Sequence, residues 1–389
     1  MASVEPTEFV WITDPASGKR TKKPARETTW RARYRDPSGG TRSKTFARKA
    51  DAEQFLARNG TAIHEGDWTD PALRRTRFEE WSALWWKTTT KLSPSTRRGY
   101  ERVLRLYIAP AFDGRAVGSI TWIEVELFVG EQLKDGRSPK TVRHTTSVLS
   151  LIFKTAMRAK VIKENPASGH AVTVRRTKHM ILNMEQVHRL VDNTDARFKA
   201  GVWLLVLAGL RTSELCGLRV CDVDLQRHTI TIAEVQMWVT GELVVKGPKS
   251  DSGNRVIPLP EWLVNELVVV METRAVQLQR PIAPEDRIFV SKNGVAMTDN
   301  RVWKIIDRAQ TKAKLPRFRP YDLRHSHASL LIELGAHPKA ISERMGHSEI
   351  GVTMNVYGHL FEGAQRQLTD QLDATVQRNQ TGPSSNKPD

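Results

Sequence analysis

The stretch Tyr321-Asp322-Leu323-Arg324-His325-Ser326-His327-Ala328 decides how this chain is read. Leu323, Ala328, Leu330 and Leu331 fall at helical spacing and predict a half-buried helix that ends at Gly335, a residue type suited to the left-handed position after a last turn. An arginine and two histidines on such a helix are costly without partners. His325 and His327 read as structural histidines satisfied inside the fold. Arg324 is different, because a buried guanidinium needs an anion.

Working outward, two further segments carry residues of the same kind. Upstream lies Ala208-Gly209-Leu210-Arg211-Thr212-Ser213-Glu214-Leu215, where Arg211 stands at a helix start and can aim its fork at a phosphate. Alone, an arginine there is usually a surface ion-pair partner. Downstream, Met345-Gly346-His347-Ser348 places Gly346 at a helix end and His347 in the turn, and Tyr357 follows ten residues after that histidine. A lone tyrosine would be core by default.

Composition points the same way. The 389 residues leave room for two or three domains, since one core rarely grows past ~250–300 residues. Sixty Lys/Arg against 43 Asp/Glu give a net charge of +17, which calls for a polyanionic partner, nucleic acid first and an anionic membrane surface second. The membrane reading weakens because the longest apolar runs, such as Trp203–Leu210, fall far short of the ~20 residues of a bilayer span. Met1–Asp14 has no basic-then-apolar pattern of a signal peptide, and Cys216 and Cys221 are too few for a disulfide framework or a Cys-rich zinc site. The expectation is a cytoplasmic, nucleoid-associated protein with no membrane partner.

The expected organisation is α+β and multidomain. Residues 1–70 read as a small module of three strands (Phe9–Ile12, Thr29–Tyr34 and a short one ending at Phe46, after the turn Asp36–Gly40) plus a helix Ala50–Arg58 stopped by Asn59-Gly60. The strand arginines Arg31, Arg33 and Arg35 could face DNA or simply form a solvated sheet face. Residues 75–168 read as all-helical, with Ser93-Pro94, Thr121-Trp122 and Ser138-Pro139 starting helices and Trp81, Trp85 and Trp86 as core. Lys87, Lys91, Arg97, Arg98, Lys140 and Arg143 gather near helix starts, where phosphates bind well. Residues 178–374 form a mainly helical last domain, entered through a linker around Asn165–Gly169 and Arg175-Arg176. It opens with helices Met184–Asp192 and Phe198–Ala208, followed by strands His228–Ala233, Glu242–Lys246 and Arg255–Pro258. Residues 375–389 read as a disordered polar tail.

Taken together, Gly-Leu-Arg-x-Ser-Glu-Leu, Asp-Leu-Arg-His-x-His-Ala, Gly-His-Ser and a tyrosine ten residues after that histidine resemble the tyrosine recombinases, the lambda-integrase family of site-specific DNA recombinases. Each motif is weak alone; their ordered occurrence at these separations is specific. The resemblance implies that Arg211 and Arg324 are the two catalytic arginines, His347 the third-box histidine and Tyr357 the nucleophile. It also implies a lysine from the hairpin region, best matched by Lys249 with Lys246 as the alternative. The family usually has a histidine three residues before the second arginine; here that position is Tyr321. A tyrosine, with an ordinary pKa near ~10, is a poor base at neutral pH but can hydrogen-bond a phosphate oxygen. The general base is therefore left open.

The implied chemistry breaks and rejoins DNA through a 3′-phosphotyrosine without metal, cofactor or ATP; the sequence shows no Walker-type loop, no HExxH and no metal-ligand cluster. The implied partners are duplex DNA at core and arm attachment sites, a homotetramer on DNA, a directionality factor and a host DNA-bending protein. The small basic sheet module resembles the arm-binding domain of phage and conjugative-element integrases, which implies integration or excision of a prophage or mobile element. A catalytically silent DNA-binding protein of the same fold and a type IB topoisomerase are the competing readings.

Overall fold

The structure is a computed structural model that describes residues 2–13, 20–66, 68–175, 179–239, 241–248, 251–358, 369–370, 372–374 and 376–377. Lys249 and the tail from residue 378 onward lie outside the described residues. Val376 and Gln377 are helical. The chain divides into two compact units, residues 1–175 and 176–389.

The first unit opens with an antiparallel sheet of β1 (Ser3–Thr13), β2 (Arg20–Arg35) and β3 (Thr41–Phe46) in that order, crossed by α1 (Lys49–His64). Alternation sorts β2 into two faces. Ala32 and Tyr34 are buried, with Tyr34 edge-on to Phe55 of α1, while Arg33 and Arg35 are exposed and Arg31 is half-buried on the opposite face. The β2–β3 turn is held by Asp36, whose carboxylate accepts from Ser38 N–H, Ser38 Oγ, Gly40 N–H and Arg42 Nε. The hydrogen bonds from Ser38 and Arg42 hold this carboxyl down at about 2. Contrary to expectation, α1 runs through Asn59-Gly60. Ala62 and Ile63 continue its half-buried stripe, and that packing outweighs the ~1 kcal/mol cost of a mid-helix glycine. The helix stops instead at Gly66, in the left-handed region with φ 77° and donating to Ile63 O.

The helical part contains α2 (Phe78–Lys87), α3 (Pro94–Val103), α4 (Ala109–Phe112), α5 (Trp122–Lys134) and α6 (Pro139–Arg158). Ser93 and Ser138 cap α3 and α6 with proline at the first turn, and Thr121 with Glu124 forms a capping box on α5. Between α3 and α4 the backbone widens into a π turn, Leu104–Ile108, just ahead of Pro110, whose ring cannot accept a regular turn before it. The core gathers Phe78, Trp81, Trp85, Phe112, Phe128, Ile152 and Phe153. Trp86 is half-buried and carries the Arg97 guanidinium over its ring at 4.7 Å, whereas Lys87, Lys91, Arg98, Lys140 and Arg143 are exposed. The segment Asn165–Gly169 is tied down rather than loose: Asn165 Nδ2 donates to Ser150 O at 3.0 Å, and Trp122 Nε1 to Ser168 O at 3.1 Å.

Among its described residues, the second unit runs α7 (Met184–Asp192), α8 (Lys199–Leu207), α9 (Thr212–Gly217), then short strands and further helices. The strands are β4 (Val223–Asp224), β5 (Thr229–Ile232), β6 (Val235–Val239), β7 (Glu242–Lys246) and β8 (Arg255–Pro258). β5 pairs with β4 and β8, and β6 with β7 as a separate hairpin set between them in sequence. β6 departs from the expectation. Its buried Gln236, which donates to Met297 O at 2.9 Å, interrupts the alternation that would announce a strand. The helices are α10 (Glu261–Leu278), α11 (Asp299–Lys312), α12 (Pro320–Glu333), α13 (Pro338–Met345) and α14 (Ile350–Tyr357). Leu190, Leu204, Leu205, Leu263, Ile306 and Leu323 centre the core, with α12 against α8. No helix among the described residues is long and apolar enough to cross a membrane.

Candidate active site

α12 is half-buried from Ser329 to Ile332, as expected, but its N-terminal half is enclosed. Pro320 and every residue from Asp322 to Ala328 are buried, while Tyr321 stays 46% exposed. Its polar groups must therefore find partners inside the protein. Asp322 accepts from Arg319 N–H at the helix start and from His179 Nδ1 at 2.9 Å. Ser326 Oγ accepts from Leu182 N–H and donates to Asp322 O.

Arg324, 1% exposed, donates through its two terminal nitrogens to Gly209 O and Met345 O, and its Nε finds no acceptor among the described residues. Burial, with the Arg211 charge adding to it, pulls this guanidinium below its ordinary range. Arg211, the residue before α9, donates to Gly346 O at 3.1 Å and to Glu214 Oε1 at 2.5 Å. Glu214 is buried and also accepts from Arg255 Nη1 and Nη2 at 3.2 and 3.0 Å. Burial opposes its ionisation, but the Arg255 hydrogen bonds and charge, the Arg211 charge and the Arg211 N–H outweigh it and hold the carboxyl below its ordinary range. Two arginines thus meet at one turn, and one buried carboxylate orients the first of them.

Two glycines make this approach possible. At Gly209, φ is 62° and a Cβ would stand 2.4 Å from His327 Cδ2. At Gly346, φ is also 62° and a Cβ would stand 2.8 Å from Arg255 Nη1. Each needs both the left-handed backbone and the missing side chain.

His347 follows in the same turn. Its N–H donates to Ser342 O, and Nδ1 lies 2.8 Å from Thr353 Oγ1 on α14. Burial, with the nearby Arg324 and Arg211 charges, lowers its pKa to about 4, so at neutral pH it is an uncharged imidazole. Tyr357 ends α14, 4% exposed, in a small cluster with Ala328, Ile341 and Met345. Its hydroxyl lies 2.6 Å from His325 Nδ1, and burial, reinforced by Tyr321, raises the phenol above its ordinary pKa.

The structure thus brings Arg211, Arg324, His347 and Tyr357 to one place. Tyr321 touches it through its ring, edge-on to His325 at 5.1 Å. Lys246, the alternative hairpin lysine, ends β7 opposite Val235. Arg31, Arg33, Arg35, Lys87, Lys91, Arg97, Lys140 and Arg143 all lie in the first unit. Sequence reading missed Glu214, Arg255 and His325. Glu214 stands in a quoted motif and Arg255 opens an expected strand, but neither gives a sign of pairing; the local pattern reads His325 as structural.

His179, Asp322 and His325 bring potential ligand atoms within 4.8 Å of one another. The two imidazoles are stacked, with centroids 3.6 Å apart and planes at 24°. Their in-plane lone pairs therefore run side by side instead of converging on one ion, a poor cage for a metal.

Residues 180–363 match the Phage integrase family and residues 77–149 the phage integrase N-terminal SAM-like domain. The ICEBs1 integrase of Bacillus subtilis (strain 168) is 27% identical over 287 residues, covering 72% of this chain and 78% of that one. The tyrosine recombinase XerA of Thermococcus kodakarensis is 30% identical over 264 residues, covering 67% and 83%. The Tn1549 transposon integrase in complex with transposon right end DNA superposes with a TM-score of 0.67 at 25% identity, over 76% of this chain and 98% of that one. Matched over both its helical domain and the unit that gathers the two arginines, the histidine and the tyrosine, the chain belongs to the phage integrase family of tyrosine site-specific recombinases.

Proposed function

We propose that this recombinase cuts and rejoins duplex DNA through a 3′-phosphotyrosine formed on Tyr357. The observation that carries the reading is the meeting of Arg211, Arg324 and His347 beside the Tyr357 hydroxyl. Attack on a phosphodiester builds negative charge on the nonbridging oxygens. Two permanently charged guanidinium forks and a neutral imidazole donor neutralise that charge in place of a metal ion. Arg324 Nε, a buried donor without an acceptor among the described residues, is a further ligand for a phosphate oxygen. The phosphoester linkage is conserved in the intermediate, so rejoining needs no ATP. Lys249, or Lys246 in its place, is assigned the protonation of the leaving 5′-oxygen.

In this reading the module of residues 1–70 contacts arm sites through Arg31, Arg33 and Arg35. The helical domain of residues 75–168 contacts the core site through Lys87, Lys91, Arg97, Lys140 and Arg143, and residues 178–374 carry the chemistry. Four copies assemble on two duplexes to integrate or excise a mobile element, aided by a directionality factor and a DNA-bending protein.

The test is covalent capture. A pool of nicked duplexes with randomised core sequence is offered to the full chain, and DNA that stays attached after denaturation is recovered and amplified until one sequence dominates. On that sequence Tyr357→Phe is expected to bind normally and form no covalent complex. Capture at full yield by this variant sinks the nucleophile assignment.

A further inference from the structure

A phenol such as Tyr321 is a poor base at neutral pH, and the structure offers another group beside the nucleophile. We infer that His325 is the catalytic base of this enzyme, accepting the Tyr357 proton through Nδ1 as the phenol oxygen attacks phosphorus. The inference deepens the reading above and rests on Tyr357 being the nucleophile.

The geometry fixes the direction of the hydrogen bond. The Tyr357 hydroxyl and His325 Nδ1 lie 2.6 Å apart, both side chains are buried, and His325 Nε2 has no partner among the described residues. If Nδ1 carried the proton, the phenol hydrogen and the Nε2 lone pair would both be left over. With the phenol donating, only Nε2–H is unpaired. The better-satisfied tautomer is therefore the one in which Nδ1 is a free base aimed at the nucleophile. Burial, with the His179 and Arg324 charges, lowers the His325 pKa to about 4 against a partial rise from Asp322, which keeps the ring neutral at physiological pH.

The surroundings hold the ring in place. On α12, Tyr321 lies edge-on to it, Asp322 stands three residues before it and Arg324 adjoins it in the chain. The His179 ring stacks on one face at 3.6 Å and is itself anchored by Asp322. Tyr357 of α14 meets it on another side, and His347 lies near enough that a charge on His325 lowers the His347 pKa. His179 and Asp322 are thus positioning residues: the stacked ring restricts rotation, and the carboxylate favours the imidazolium that forms. In the step, the phenol O–H bond breaks and Nδ1 gains the proton. The O–P bond forms, and the P–O5′ bond breaks with its electron pair going to the 5′-oxygen. Against a phenol of pKa above 10, prior ionisation by this base is unfavourable by more than about a millionfold. Proton transfer therefore accompanies attack and does not precede it.

The experiment is single-turnover covalent capture on the selected suicide duplex between pH 5 and 9, with the full chain carrying His325→Asn or His325→Ala. Asn presents a polar atom near Nδ1 and keeps the hydrogen bond without being a base. Both variants are expected to bind the duplex as the parent does and to lose about 10²–10⁴-fold in capture rate. The parent rate is expected to be flat across this range. The Ala variant should gain about tenfold per pH unit as hydroxide replaces the base, and recover in part with added imidazole. A purely structural role would give a uniform loss with neither response. A His325→Asn rate within threefold of the parent, or above it, overturns the inference, as does a loss in both variants without change of slope or imidazole rescue. If Tyr357→Phe itself is captured, the underlying reading fails and this one with it. If only the His325 variants behave like the parent, the nucleophile stands and the base does not.

Discussion

The ion triad behind Arg211 gives the most demanding prediction. Glu214 is buried, with four hydrogen bonds arriving from Arg211 N–H, Arg211 Nη1, Arg255 Nη1 and Arg255 Nη2. Glu214→Gln keeps the volume but removes the charge and turns an NH₂ group toward one of the guanidinium forks. Arg255, with 7% of its side chain exposed, is left a buried cation. Breaking a buried pair from one side costs about 3–5 kcal/mol. Arg211, about one-third exposed, recovers part of its loss through water, so the lower end, about 3 kcal/mol, is expected. For a unit of this size that is a fall in Tm of about 6–12 °C, read by circular dichroism at pH 7. The pH dependence supplies a second handle. The folded Glu214 carboxyl lies below its ordinary value of 4.5, so its contribution is fully present above about 4.5 and is lost as pH falls through the lower folded value. The gap between parent and variant should therefore close in acid. A Tm within 2 °C of the parent at pH 7, or a gap that stays constant into the acid range, refutes the argument that the triad holds Arg211.

Other positions give simpler expectations. Gly209→Ala combines a left-handed backbone with a Cβ 2.4 Å from a buried ring, and should cost about 2–5 kcal/mol in a urea titration; a midpoint equal to the parent's would show that the turn relaxes freely. Asn183→Ala removes the side-chain half of the capping box on α7, the Asn183 Oδ1 that accepts from Gln186 N–H, and should cost about 1 kcal/mol, measured the same way. Replacing Arg31, Arg33 and Arg35 together by Gln should lower the salt slope of duplex-DNA binding by about 3, if each neutralises one phosphate, and leave capture on a core-only duplex unchanged. An unaltered slope would return that sheet face to solvent.

What the sequence disclosed was what local chemistry determines. Ser93 and Ser138 before proline, Thr121 before its capping glutamate, and Gly346 after Met345 each set a helix end within a few residues, and all are found there. The misreadings arise where packing overrides a local signal. Asn59-Gly60 looks like a stop, yet the apolar stripe of α1 continues past it. β6 hides behind a buried glutamine whose acceptor is 61 residues away in sequence. The site divides along the same line. The arginines, the histidine and the tyrosine could be named only through the motifs that resemble the tyrosine recombinases. The contacts that hold them join residues 41 apart (Glu214 with Arg255), 135 apart (Arg211 with Gly346) and 32 apart (Tyr357 with His325), which no local pattern encodes.

The long-range contacts also explain why the turn after α13 matters beyond the histidine it carries. A helix C-terminus presents carbonyls with partial negative charge. Here Met345 O receives Arg324 and Gly346 O receives Arg211, and the next residue is His347. The three groups assigned to the phosphate are therefore positioned by three consecutive residues of one turn. The left-handed conformation of Gly346 closes that turn, and its missing side chain admits Arg255, which in turn binds the glutamate that orients Arg211. Glu214, Arg255 and Gly346 form a single support under both guanidinium groups. A change at any of the three should thus move Arg211 and Arg324 together, and double variants within this set should cost less than the sum of their single effects.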